Sequence, residues 1–253
     1  ALAATGDIPL SGIRISQGMT LSIADLQLRI GPNGEIEAGP IKVNLRYDVV
    51  PTWLEIAMTH QAAALEARAQ REAVWSEDDE DAKSRALEAE FQAAMQAIVA
   101  AAVSWEALYG ILVGHVELPD GVKQKWRTNR VSRYVQVTEV VRRAFKLKPN
   151  SVKTLRQNLK EIYRYRDLAV HPSGIVQEAI HHPELQVGTE WRYVYFRASN
   201  AVLCVSCSAA MIVDLANNGK PASDAIDNYQ NTLRAGLARL FPNGAPQSPQ
   251  SGS

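Results

Sequence analysis

The chain is expected to be mainly α-helical, with a small antiparallel β meander at its N-terminus. Over the first fifty residues apolar and polar positions alternate, the period of half-buried strands. From Pro51 onward the composition becomes alanine-rich and apolar residues recur at helical spacing. Clusters of Pro, Gly and Asn then cut this stretch into separate helices.

In the N-terminal part the alternating sets are Ile13 and Ile15, then Leu26, Leu28 and Ile30, then Ile41, Val43, Leu45 and Tyr47. Gly31-Pro32-Asn33-Gly34 between the last two sets is a strong turn signal. So small a meander is not stable by itself and must pack on the helices or on another chain.

A first helix is expected from Pro51 to Trp75, with Pro51 in the first turn. Glu77-Asp78-Asp79-Glu80-Asp81 reads as a solvated linker or a helix N-terminus, where carboxylates suit the helix dipole. A long helix over Ala82–Glu117 stops at Pro119-Asp120-Gly121, and another over Val122–Leu147 ends at Lys148-Pro149-Asn150. Ser151 reads as the cap of a helix running to Val170, halted by His171-Pro172-Ser173-Gly174. Two more helices follow, Glu190–Asn217 and Ala222–Phe241, and the tail Pro242–Ser253 is expected to be disordered. The division is a meander over 1–50, a connecting helix and acidic linker over 51–81, a helical domain over 82–241, and a tail over 242–253. No internal repeat is visible.

The 253 residues suit one large domain or a core domain with a smaller attachment, and 46% hydrophobic residues supply ample core material. Lys+Arg and Asp+Glu both total 27. That balance argues against a bulk electrostatic nucleic-acid binder and leaves room for a local basic patch. Two cysteines cannot form a disulfide framework. The uncharged run Ala198–Val213 is short for a bilayer and contains four polar residues. A soluble cytoplasmic protein without a membrane partner is therefore expected. A first residue Ala1 in place of methionine suggests a trimmed or processed product.

The helix Ser151–Val170 carries an anomaly. At about 100° per residue, Leu155, Leu159, Ile162 and Tyr163 share one face, while Lys153, Arg156, Lys160 and Arg164 form an opposite stripe. Arg166 projects into the apolar face, where a guanidinium is costly unless hydrogen-bonded. A parallel case is Glu106, inside the apolar arc of Phe91, Met95, Val99, Ala102, Tyr109 and Val113. The simple inference is that Glu106 and Arg166 approach each other between the two helices; an ion pair with a purely structural role stands equally open. His171 lies next to Pro172, which pushes it out of the α region, so its ring can turn back toward Arg166. An imidazole beside a fixed cation and Asp167 is the material of an acid–base site.

The segment Glu161-Ile162-Tyr163-Arg164-Tyr165-Arg166-Asp167-Leu168-Ala169-Val170-His171-Pro172 resembles the signature of HEPN domains: Arg, a polar residue, then His after four to six intervening residues. Arg166, Asp167 and His171 match it in order. The helix with Ser104-Trp105-Glu106-Ala107-Leu108 is similar to the family's early acidic helix, and the resemblance covers roughly Ala82 to Asn217. It implies a helical bundle that often dimerises, joining two Arg/His pairs in one cleft. It also implies a metal-independent endoribonuclease without a cofactor, as in toxin–antitoxin or antiphage systems, whose partners are RNA and possible antitoxin or regulatory proteins. His171 would act as general base or acid, Arg166 would stabilise charge on the phosphate, and Asp167 and Glu106 would orient these groups. Ser173 stands where an adenylylated toxin subgroup has a tyrosine, which puts regulation by a nucleotidyltransferase antitoxin in doubt. Some members of the family only bind, so a non-cleaving module for RNA, nucleotide or a protein partner is the alternative.

Lys123, Lys125, Arg127, Arg130 and Arg133 are interleaved with Trp126 and Tyr134. An ordinary amphipathic helix with Trp126 in the core is the favoured reading, with Arg130 and Arg133 as candidates for RNA phosphate, beside Lys160 and Arg164. Cys204-Val205-Ser206-Cys207 lies mid-helix, which suits helix packing better than redox or zinc chemistry, and no metal site is expected. His60 and His115 have no recognisable partners in the sequence and are assigned to the surface or to ordinary packing.

Overall fold

A computed structural model of the chain describes residues 13–16, 18–25, 28–39, 42–171, 174 and 176–244. It is mainly helical with a small N-terminal antiparallel β element, and it divides into two compact units, Ala1–Asp48 and Val49–Ser253.

In the first unit β1 (Met19–Asp25) pairs with β4 (Lys42–Tyr47), and β2 (Leu28–Ile30) pairs with β3 (Ile36–Ala38), all antiparallel. The expected turn closes the inner hairpin: the Gly34 N–H donates to the Gly31 carbonyl at 3.0 Å, and Gly34 adopts φ +82°, a backbone that favours glycine. Pairing Met19 with Tyr47, Leu21 with Leu45 and Ile23 with Val43 puts apolar side chains on one face. Two strands cannot bury that face, and Leu21, Ile23 and Leu45 remain exposed. Ile13 and Ile15 precede β1 outside any strand. Leu26 and Ile41 lie outside the described residues, as do Pro172, Ser173 and positions 245–253 of the tail.

The second unit contains α1 (Val50–Val74), α2 (Glu80–Leu112), α3 (Val122–Thr128), α4 (Arg133–Ala144), α5 (Pro149–Val170), α6 (Trp191–Tyr195), α7 (Ala198–Asn218) and α8 (Asp224–Leu240). The two longest helices pack through small side chains, with Ala57, Ala64, Ala94, Ala97 and Ala101 all fully buried. The acidic run becomes a helix start: Asp79 Oδ1 accepts from the Ala82 N–H at 2.9 Å, and Glu80 and Asp81 occupy the first turn. Trp105 is fully buried and its Nε1 donates to Ser208 Oγ at 3.1 Å, tying α2 to α7.

Several boundaries differ from expectation. The helix expected over Val122–Leu147 is two, α3 and α4, because Arg130 turns left-handed at φ +48° and Ser132 starts a new helix. Pro149 sits in the first turn of α5 with Lys148 ahead of it, so Ser151 lies inside the helix and caps nothing. The α2 helix ends at Leu112, before Gly114. The helix expected from Glu190 breaks after Tyr195 into α6 and α7. A short hairpin of β5 (Ile180–His181) and β6 (Gly188–Thr189) precedes α6. By length and composition α2 and α7 could each cross a membrane; α7, at 21 residues, is longer than the uncharged run it contains. Half of each such stretch is buried against the rest of the unit, as in the core helices of a bundle.

Candidate functional site

The α5 helix buries Leu155, Leu159, Ile162 and Tyr163, the face its sequence requires. Arg166 follows on the edge of that face with 24% of its side chain exposed. Its guanidinium carbon lies 5.0 Å from the centre of the Tyr163 ring. Its Nε is buried and stands 3.2 Å from Asp167 Oδ1, an ion pair whose geometry does not make a hydrogen bond. Asp167 itself is exposed.

Helix α5 ends at Val170, so His171 occupies the C-cap at φ −120°, ψ 73°, outside the α region as its position before a proline requires. Its N–H donates to the Asp167 carbonyl at 2.9 Å and the residue is exposed. Among the described residues no hydrogen bond, ion pair or ring contact joins His171 to Arg166. The expected shared pocket is thus two neighbouring groups on the last turn, one held and one facing solvent.

Glu106 pairs elsewhere than expected. Arg133 takes its carboxylate as a fork, Nε to Oε1 at 3.1 Å and to Oε2 at 2.9 Å, and Nη2 to Oε2 at 2.7 Å. A rigid guanidinium matches a carboxylate in this way better than any single-point donor. Tyr163 Oη donates to Glu106 Oε1 at 2.9 Å, and Arg133 also stacks 3.8 Å over the Tyr109 ring. The break at Arg130 aims α4 so that Arg133, in its first turn, reaches α2. Glu106 and Arg166 therefore meet through Tyr163, whose hydroxyl serves one and whose ring carries the other. Burial, and after it the Glu106 carboxylate, push the Tyr163 pKa far above the ordinary phenol range, so it stays a donor. Burial works against the Arg133 charge, but the hydrogen-bonded Glu106 raises its pKa overall.

Arg133, expected to reach RNA phosphate, is thus neutralised. Arg130 is exposed at the α3–α4 break, and Trp126 is half-buried against the core. Arg164 is 3.3 Å from Glu161 Oε2 and lies 5.5 and 5.4 Å from the Tyr165 and Tyr195 ring centres. Lys160 is exposed and has no acidic partner among the described residues. His60 lines a groove with Trp53, Met95, Val99 and Val170, and His115 is exposed.

No family model, curated protein or solved structure matches this chain.

The sequence reading missed a second constellation. Arg71, 1% exposed, donates through Nε to Glu90 Oε2 at 2.5 Å and through Nη2 to Glu184 Oε2 at 2.6 Å. Arg197 Nη1 reaches Glu184 Oε1 at 3.2 Å, and Glu90 Oε1 accepts the Ala198 N–H at 2.9 Å at the start of α7. His182 is fully buried beside them; its Nδ1 accepts the Glu184 N–H at 3.2 Å, and its Nε2 has no hydrogen-bond partner among the described residues. Burial, reinforced by Arg71, pushes the His182 pKa down to about 4, so the ring is neutral. The signal was present: Arg71 continues the spacing of Ala57, Ala64 and Ala67, and Glu90 that of Ala86, Ala94 and Ala97. The test that exposed Arg166 picks out both.

On α7, Cys204 is buried and Cys207 half-buried, and both are free thiols. Burial pushes the Cys204 thiol up to about 12, far from a reactive thiolate. Among the described residues no group of three His, Cys, Asp or Glu side chains is placed to hold a metal ion. Chemically, the end of α5 offers a cation held on an aromatic ring, an exposed carboxylate beside it and an exposed imidazole within five residues.

Proposed function

We propose that the end of α5 is the active site of a metal-independent endoribonuclease of HEPN type, in a cytoplasmic protein that works as a homodimer. The observation that carries this reading is Arg166. Its Nε is buried without a hydrogen-bond acceptor among the described residues, while Tyr163 holds the guanidinium beside solvent-facing Asp167 and His171. With 24% of its side chain exposed, the guanidinium held in this way can meet a phosphate oxygen that arrives from solvent.

In the reaction the imidazole of His171 takes the proton of a ribose 2′-hydroxyl. The 2′-oxygen attacks phosphorus, the bond to the 5′-oxygen breaks, and the products are a 2′,3′-cyclic phosphate and a 5′-hydroxyl. The leaving oxygen is protonated by a second imidazole, His171 of the other copy in the dimer. Arg166 stabilises the charge gathering on the non-bridging oxygens, and Asp167 orients the groups around it. Glu106 acts at one remove, by fixing Tyr163 under Arg166. DNA, lacking the 2′-hydroxyl, is not cut.

A second reading is a non-cleaving module of the same kind that binds RNA, nucleotide or a regulatory protein such as an antitoxin; the absence of a described bond between Arg166 and His171 favours it. Incubation with total RNA in EDTA separates the two. The expected result is cleavage with cyclic-phosphate ends that His171→Ala abolishes. Intact RNA at high enzyme concentration, or wild-type cleavage by His171→Ala, overturns the first reading.

A further inference from the structure

An open groove of about 700 Å³ lies between α4 and the first half of α5. Lys153, Arg156 and Lys160 supply one wall, and Tyr134 and Arg142 line it from α4. No carboxylate is among its lining residues. Arg142 pairs with Glu139 through two contacts of 2.8 Å, but Lys153, Arg156 and Lys160 have no acidic partner among the described residues. In a chain of formal net charge +0, three uncompensated cations on one helix face form a local excess, not a share of a general positive charge.

The spacing of this wall is specific. Steps of three and four residues separate the three cations by roughly 4.5 and 6 Å along the helix axis. The same stripe continues to Asp167: from Arg156, Lys160 and Asp167 lie within an arc of about 40°. The rise from Lys160 to Asp167 is about 10 Å. The last cation of the row, Lys160, thus lies within about 10 Å along the axis of the turn that carries Arg166, so a polyanion held by the row reaches that turn at its end. One row of cations faced by one aromatic ring suits a single strand, whose phosphates follow the row while a base stacks on the ring. A duplex presents two phosphate rows and no free base faces.

From this we infer that the α4–α5 groove is the docking track for the phosphate backbone of single-stranded RNA upstream or downstream of the cut. Lys153, Arg156 and Lys160 are its phosphate contacts and Tyr134 its stacking platform. The inference rests on the reading of the α5 end as an RNA site, but binding tests it separately from cleavage. Of the other basic residues, Arg133 is spent on Glu106 and Arg164 on Glu161, which leaves this row as the free one on α4 and α5 among the described residues.

The test is fluorescence anisotropy with a labelled twelve-nucleotide RNA in the full-length His171→Ala protein, which keeps the strand intact, at NaCl concentrations from 50 to 200 mM. The triple variant Lys153→Gln/Arg156→Gln/Lys160→Gln changes exposed positions to a residue of similar helix preference, and far-UV circular dichroism checks its fold. Each phosphate contact contributes about 0.7 to the salt slope for single strands, so the slope is expected to fall by about 2 and affinity at 50 mM by about tenfold or more. Tyr134→Ala is expected to weaken binding without changing the slope. Unchanged slope and affinity in the triple variant overturn the inference even if the wild-type protein cuts RNA. So does failure of the parent protein to bind the strand, or equal competition by polyglutamate, which would assign the groove to an acidic polypeptide. Binding with the expected slope but no cleavage by the wild-type protein leaves the groove standing and removes the nuclease.

Discussion

Replacing Arg166 with Met separates a functional from a structural guanidinium. The substitution keeps an unbranched chain of similar length at a position with 24% of its side chain exposed. It removes a buried Nε that has no acceptor among the described residues, relieving about 1–3 kcal/mol. Against this, the contact with the Tyr163 ring is worth about 0.5–2 kcal/mol, and the poorly aligned pair with exposed Asp167 about 0–1 kcal/mol. The terms nearly cancel, so the folding free energy should change by no more than about 1 kcal/mol, a shift in Tm of about 2–4 °C for a domain of this size. Activity should respond otherwise. Loss of one preorganised donor to the reacting phosphate costs on the order of 10²–10³ in kcat. Differential scanning fluorimetry and cleavage of a defined RNA in EDTA measure the two. A variant destabilised by more than about 3 kcal/mol would show that Arg166 is a structural strut. Full stability with undiminished cleavage would show that it does not touch the reaction.

Two further outcomes concern the buried network. Glu90→Ala strips Arg71 of its Nε partner but leaves Glu184, so we expect a loss of about 3 kcal/mol, seen as a lower urea midpoint with unchanged m. The double variant Arg71→Met/Glu90→Leu should recover most of it, and a loss equal to or larger than that of Glu90→Ala would refute the pairing. The second concerns acid. The folded pKa of His182 lies at about 4, below the ordinary value of 6.5, so the unfolded chain binds more protons between these limits. The contribution is fully present above pH 6.5 and lost as pH falls toward 4, about 2 kcal/mol between pH 7.5 and pH 5. His182→Asn, whose Oδ1 can accept the Glu184 N–H, should remove this part of the pH dependence; an unaltered pH profile of the urea midpoint would count against it.

Much of the fold could be read from the chain because its cues are local. The Gly31–Gly34 turn, the alanine period of α1 and α2, and the apolar stripe of α5 each act within a few residues. Breaks were harder where no Pro or Gly marks them. Arg130 adopts a left-handed backbone that its side chain does not advertise, and Phe196-Arg197 ends α6 through packing and an Arg197 bond to the Val194 carbonyl at 2.8 Å. The same distinction holds at the site. That Arg166 and Glu106 are polar groups on apolar faces follows from helical geometry alone. That Glu106 binds Arg133 does not, because it depends on how α4 is aimed after the break. Likewise Glu184 lies 113 residues from Arg71, and only the folded chain brings them together.

Both buried or half-buried carboxylates of α2 belong to one unbroken helix. Glu90 is fastened to α1 and the start of α7, and Glu106 to α4 and α5. The fastenings are sixteen residues apart, about 24 Å along the axis. The alanine seam between them is smooth and would by itself tolerate sliding. A rod pinned at two distant points can neither slip lengthwise nor roll without breaking both, so the tyrosine that supports Arg166 keeps one fixed height relative to the rest of the bundle.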